Sequence, residues 1–263
     1  MKPLSRSILV GAILFGASLV GLFLGHAAPD AMLTASKGTI GGVIGLVSLL
    51  LALVLGFLVY TAFAIFATQQ SEAYSLGPVI ADIDLALAQY GPEATGGRAG
   101  LRAALRRTRA RFFDDAEHGP KAFGFQEIQS TFSGLDGYFD SLAPATDRQR
   151  RLLGKAWDLA RKYNDTQMTM VRQIASPFPP RVLTIVVCWA SALFFGDGIV
   201  SPANAIAVAA LFVGALAVAT AIFLILELSN PYAGVIRIGP EGVDGVLAAL
   251  GEVSPAPLSS GRN

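Results

Sequence analysis

Charge is what this sequence is short of. Of its 263 residues 15% are charged and 53% hydrophobic, with a mean hydropathy of +0.54, whereas a soluble domain carries about 25% charged residues. There is one cysteine, Cys188, inside an apolar run, so a disulfide framework or a cysteine metal site within one chain is excluded. The two histidines, His26 and His118, stand in no ligand spacing, and no metal motif accompanies them. No Ser/His/Asp set, nucleotide loop or zincin pattern occurs, and Gly41-Gly42 and Gly96-Gly97 are too short for phosphate loops. Neither an enzyme nor a cofactor is expected. The formal net charge is +1 with no Lys/Arg run, which argues against nucleic acid as a partner.

The few charges are crowded. Residues 68–181 hold 15 of the 20 Lys/Arg and 13 of the 19 Asp/Glu. The flanks are nearly charge-free, the pattern of membrane segments around a water-facing region. Residues 7–25 form a first apolar run of 19, enough to cross a hydrocarbon core of about 30 Å at about 1.5 Å per residue. A signal peptide is the rival, with Gly25-His26-Ala27 as a cleavage site, but signal cores run about 7–15 residues. A second run, 38–71, has no charge at all, and its core is about 40–67. Gly41, Gly42 and Gly45 near its start would let another helix approach closely.

The middle region reads as helices. Leu76, Val79, Ile80, Ile83, Leu87 and Tyr90 recur at three- and four-residue spacing and make one apolar face. Gly91-Pro92 stops that helix, and Thr95-Gly96-Gly97 reads as a turn. A helix over about 98–113 buries Leu101, Leu105 and Phe112, with Arg98, Arg102, Arg106 and Arg109 as a solvated face. Asp114, Asp115 and Glu117 follow and would offset its field. A helix over about 123–142 carries Ile128, Phe132, Leu135 and Phe139 in register, and a last one, capped by Thr146 or Asp147, runs to about 175. The proline cluster at 177–180 ends it.

A third apolar run, 182–196, is only 15 residues, about 22 Å. Arg181 can extend it by snorkelling. Gly196-Asp197-Gly198 reads as a tight turn into a fourth run, 198–226, whose helix starts near Pro202 or Ala203. A re-entrant hairpin is the alternative for this pair. Lys2, Arg6 and the basic middle region against one lysine in the loop near Pro29 place both termini and the middle region in the cytoplasm. The expected fold is all-α and integral to a membrane, four transmembrane helices with a cytoplasmic helical domain between the second and third. The expected divisions are 1–67, 68–180, 181–228, and 229–263 with a disordered tail from 254. The expected location is a cell membrane of the bacterial inner-membrane kind.

After the fourth run comes Ile222-Phe223-Leu224-Ile225-Leu226-Glu227-Leu228-Ser229-Asn230-Pro231-Tyr232-Ala233-Gly234-Val235-Ile236-Arg237-Ile238. An acidic helix end, a Pro-aromatic-x-Gly turn and an Ile/Arg/Ile segment resemble the hallmark of the bestrophin-like domain-of-unknown-function family. Pro179-Pro180, Phe195-Gly196, Ser201-Pro202-x-Asn204 and Glu72-Ala73 fit the same pattern. Two departures stand out: Tyr74 where the family more often has Asn, and Gln69-Gln70 where it commonly has two arginines. The similarity covers about 40–251. It implies remote kinship with bestrophins, pentameric chloride channels, and so an oligomeric membrane protein permeable to chloride or other anions.

Candidate residues follow from that. Phe57, Tyr60 and Phe63, spaced by three on the second span, are candidate pore-lining residues that could form a dewetting neck; ordinary helix packing is the plainer use of such a stripe. Glu72, Glu227, Pro231, Tyr232 and Gly234 are candidate interface or gate residues. Glu72 sits just beyond the span, at a pore mouth or in a salt bridge. Glu227 would anchor a helix end by pairing with Arg172, Arg181 or Arg237. Pro231 stops the helix, Tyr232 would lie at headgroup level, and Gly234 permits positive φ. The alternative to a channel is a non-conducting scaffold or sensor whose cytoplasmic helices bind a partner.

Overall fold

The computed structural model describes residues 3–27, 29–114, 125–175, 180–232 and 234–252. The break at 176–179, Asp115, Glu117, His118 and the tail from 254 lie outside the described residues. The architecture is all-α, as expected: eight α-helices among the described residues, four of them long and apolar enough to cross a membrane. The chain divides into two compact units, Met1–Phe66 with Pro177–Asn230, and Ala67–Ser176 with Pro231–Asn263.

The first unit holds α1 (Pro3–Ala27), the first part of α2 (Asp30–Tyr90), α6 (Pro180–Val200) and α7 (Ala205–Leu228). In hydrocarbon each backbone polar group must be satisfied within the segment, so long uncharged runs become helices. Leu14, Leu51, Leu58, Val186, Leu193, Phe194, Leu211 and Ile225 form the shared core. Helices α1 and α6 meet main chain to main chain. A Cβ at Gly21 would strike the Phe195 carbonyl, one at Gly25 the Ile199 carbonyl, and one at Gly198 the Ser18 carbonyl. Small residues of this kind let helices pack closely where there is no hydrophobic drive between them.

The third span departs from expectation. Gly196-Asp197-Gly198 is not a turn: α6 continues through it to Val200, 21 residues or about 32 Å, a full crossing. Gly198 serves the contact with α1 instead of breaking the helix. The chain reverses over residues 201–204, and α7 starts at Ala205, later than the Pro202 or Ala203 start. Asn204 is its N-cap, accepting a hydrogen bond from the Ala207 N–H at 2.8 Å.

The second unit holds the remainder of α2, a 3₁₀ turn (Pro92–Ala94), α3 (Thr95–Arg109), a π-helical turn (Ala110–Asp114), α4 (Phe125–Asp140), α5 (Asp147–Ala175) and α8 (Glu241–Glu252). Its core is built from Leu76, Ile80, Ile83, Leu87, Leu101, Leu105, Ile128, Phe139 and Met170. These include the apolar positions of the periodic face. Gly91 closes α2 at φ 138°, a conformation glycine adopts without strain. Gly96-Gly97 belongs to α3 and is not a turn; the Tyr138 ring of α4 lies where a Cβ on Gly97 would stand. Thr146 and Gln149 form a capping box at the start of α5: Gln149 N–H donates to Thr146 Oγ1 (3.1 Å), and Thr146 N–H to Gln149 Oε1 (3.2 Å).

Candidate functional site

The aromatic stripe lies on an uncovered face. Phe57, Tyr60 and Phe63 are 66%, 68% and 55% exposed, and Leu46, Leu49 and Leu53 continue the face along α2. Gly42, Gly45, Ala52 and Gly56 lie on the same side and are exposed. At the three glycines nothing lies within 4 Å of where a Cβ would be. The opposite side of α2, through Leu51, Leu58 and Ala62, is buried in the unit's core. The aromatic residues are therefore not packing residues within this chain. Thr61 donates its hydroxyl to the Phe57 carbonyl (2.8 Å), so its polar atom is satisfied inside the helix.

In the second unit, polar side chains gather where α2 leaves its apolar run. Gln69, fully buried, donates from Nε2 to the Met170 carbonyl (3.3 Å) and to Gln173 Oε1 (2.5 Å). Its Oε1 accepts the Tyr232 hydroxyl at 3.0 Å. Gln173 donates from Nε2 to Glu72 Oε1 (3.4 Å). Among the described residues, Glu72 Oε2 is buried with no hydrogen-bond partner. Such an acceptor in a site otherwise fully paired is a point where the structure is left open to chemistry.

Tyr232 is the second anchor of this cluster, and its position corrects the expected one. It is buried in the second unit, not at headgroup level. Its ring lies 5.6 Å from Phe112 and 5.8 Å from Phe113, the latter edge-on. The wider π-helical turn at 110–114 lets two consecutive phenylalanines reach one ring. Burial first, then the Glu72 charge, push the Tyr232 phenol far above its ordinary value, so it stays a neutral donor. Pro231 begins the turn, and its carbonyl accepts the Ile238 N–H at 2.8 Å. Gly234 takes φ 119°, the positive φ foreseen for it. Glu227, in the last turn of α7 in the first unit, is 1% exposed.

The arginines of α3 are not a solvated face. Arg98 grips Asp84 of α2 with two bonds, Nε to Oδ1 at 2.8 Å and Nη2 to Oδ2 at 2.7 Å, and the pair is mostly buried. That bond raises the Arg98 pKa further. Arg109 pairs with Asp244 of α8 at 2.5 Å. Arg106 alone of the pattern is exposed, while Arg102 is half-buried. A helix bearing four arginines thus ties α2 and α8 to itself. Nearby, Tyr163 shares a 2.7 Å hydrogen bond with Thr108, and Gln167 Oε1 accepts from Thr108 (3.2 Å) and Arg111 (3.4 Å).

Gln69, Gln173 and Gln167 were not singled out by sequence. The available signal was Gln69-Gln70 at the border between an uncharged run and a charged region. An amide there can be buried at low cost, having both donor and acceptor to share.

Four membrane-length helices, with further helices between the second and third, define a multi-span membrane protein. The family model described as Bestrophin-like domain matches residues 11–243, and the chain belongs to that family. No curated protein and no solved structure matches it.

Proposed function

We propose that the protein is one subunit of an oligomeric, anion-permeable channel, with the α2 helices of several copies around a common axis. The observation that carries this is the uncovered aromatic and glycine face of α2, in a chain of the bestrophin-like family. One subunit's four spans enclose no conduit, so conduction needs several copies. Gly42, Gly45 and Gly56 would let neighbouring α2 helices approach. Phe57, Tyr60 and Phe63 would stack as rings and form a neck that gates by dewetting. Glu72, with its unpaired oxygen, would stand beyond the neck, held by Gln173. Glu227 and the Pro231-Tyr232-Ala233-Gly234 turn would be the fixed points against which α2 moves. The distribution of lysine and arginine supports a cell-membrane setting with both termini and the second unit in the cytoplasm.

The test is flux. Purified protein in liposomes should pass chloride or iodide faster than protein-free liposomes. Phe63→Ala, which removes one aromatic ring, should raise the leak or change its ion preference while the oligomer persists. Flux no higher than in empty liposomes across pH and voltage, with oligomers present, would leave a scaffold or sensor as the better account.

A further inference from the structure

The largest cavity is a groove of about 480 Å³ in the first unit, between α1 and α7. Its walls are apolar: Leu4, Ile8, Phe15, Phe212, Leu216 and Phe223 are among the residues that line it. Small residues hollow it out, Gly11 and Ala12 on α1 and Ala215 and Ala219 on α7. The two hydroxyls at its edge are already used, Ser7 Oγ donating to the Leu4 carbonyl (2.9 Å) and Thr220 Oγ1 to the Leu216 carbonyl (2.8 Å). Nothing polar in the groove therefore awaits a hydrogen bond.

Its length fits one leaflet. From Leu4 to Phe15 is 11 residues, about 16 Å along the helix, half of a hydrocarbon core of about 30 Å. Phe15 meets Phe212 edge to face at 5.3 Å and 82°, and this pair stands at the inner end of the groove. Phe15 is also the middle residue of the 25-residue α1. The groove thus opens at the membrane surface and stops at the midplane. At its open end α1 begins, with its free N–H groups and with Arg6 exposed beside Leu4 and Ser7.

We propose that this groove seats one acyl chain of an anionic phospholipid, whose phosphate rests against Arg6 and the start of α1. Its acyl chain lies over Gly11 and Ala12 and ends against the Phe15–Phe212 pair. The seat is separate from the α2 face, and it stands whether or not the protein conducts.

The full-length protein is purified in mild detergent from membranes, incubated with equal amounts of phosphatidylglycerol and phosphatidylcholine, and weighed by native mass spectrometry. Wild type should retain about one phosphatidylglycerol per chain. Ala12→Phe fills the groove and should cut retention by about tenfold or more, a loss of about 1.4 kcal/mol or more in binding. Ile13→Phe adds the same bulk on another, exposed face of α1 and should not. Arg6→Gln should keep a lipid but lose the preference for phosphatidylglycerol. Equal retention in Ala12→Phe and Ile13→Phe, or none in wild type, overturns the proposal. So does loss of oligomer in Ala12→Phe without loss of lipid, because the groove would then be a contact between copies.

Discussion

Helix α2 is one continuous helix of 61 residues that belongs to two units built on opposite rules. In its first part the large apolar side chains face outward: Leu53 is 71% exposed and Tyr60 68%. In its second part they face inward: Leu76, Ile80 and Ile83 are fully buried, and Glu72, Asp82 and Asp84 appear. The backbone is the same, so the difference lies in the surroundings. Where lipid is the solvent, an apolar face needs no cover and the hydrophobic effect drives no packing. Where water is the solvent, burial of the apolar stripe is the main source of stability, and each buried polar group must find a partner. The second unit accordingly holds the buried ion pair and the linked amides.

The strongest challenge to that contrast is Asp84→Asn. It leaves the Arg98 guanidinium mostly buried without its carboxylate and should cost about 3–5 kcal/mol, read as a lower melting point or denaturant midpoint in detergent. A milder outcome would mean that water reaches the pair. Next comes a matched truncation on one helix. Ile80→Ala should cost about 2–5 kcal/mol, and Leu53→Ala, on the open face, should cost under about 1 kcal/mol in the dissociated chain. If Leu53→Ala cost as much as Ile80→Ala in the assembled protein, α2 would be covered by another copy there.

An alkaline titration sharpens the contrast further. Burial pushes the Tyr163 phenol up to about 12 from 10.0, only partly offset by its bond to Thr108. The folded state thus favours the neutral phenol. That stability is fully present below pH 10 and is lost as pH rises through 12, about 2–3 kcal/mol in all. Melting curves between pH 9 and about 12 should show this slope in wild type and less of it in Tyr163→Phe. The smallest effect expected is that of Tyr232→Phe. It removes the donor from the buried Gln69 Oε1 and should cost about 1–3 kcal/mol. No measurable change in stability would mean that a water replaces the hydroxyl.

The spans were legible because an uncharged run longer than 18 residues has few other uses. The inward face of α2 was legible from the three- and four-residue spacing of Leu76, Ile80, Ile83 and Leu87. Gly96-Gly97 and Gly196-Asp197-Gly198 were misread, for one physical reason. Glycine marks a turn by its backbone freedom, yet it also marks the place where another helix or a ring comes too near for a Cβ, and a single sequence does not separate the two. The α3 arginines were misread because their partners, Asp84 and Asp244, lie on other helices, 14 and 135 residues away. Tyr232 was set at the surface by its place in a turn. Its true neighbours, Phe112, Phe113 and Gln69, are each more than a hundred residues away. Local pattern carries the spans; it does not carry pairings across the fold.

The seam between α1 and α6 has a mechanical consequence. Two rods that touch along their main chains, at Gly21, Gly25 and Gly198, have no side chains between them to swing aside. Such a joint does not soften gradually; it is seated or it is parted. The pair should therefore behave as a rigid post under changes in bilayer thickness or tension. Any adjustable part of the first unit would then fall to the outward face of α2, which no neighbour in the chain restrains.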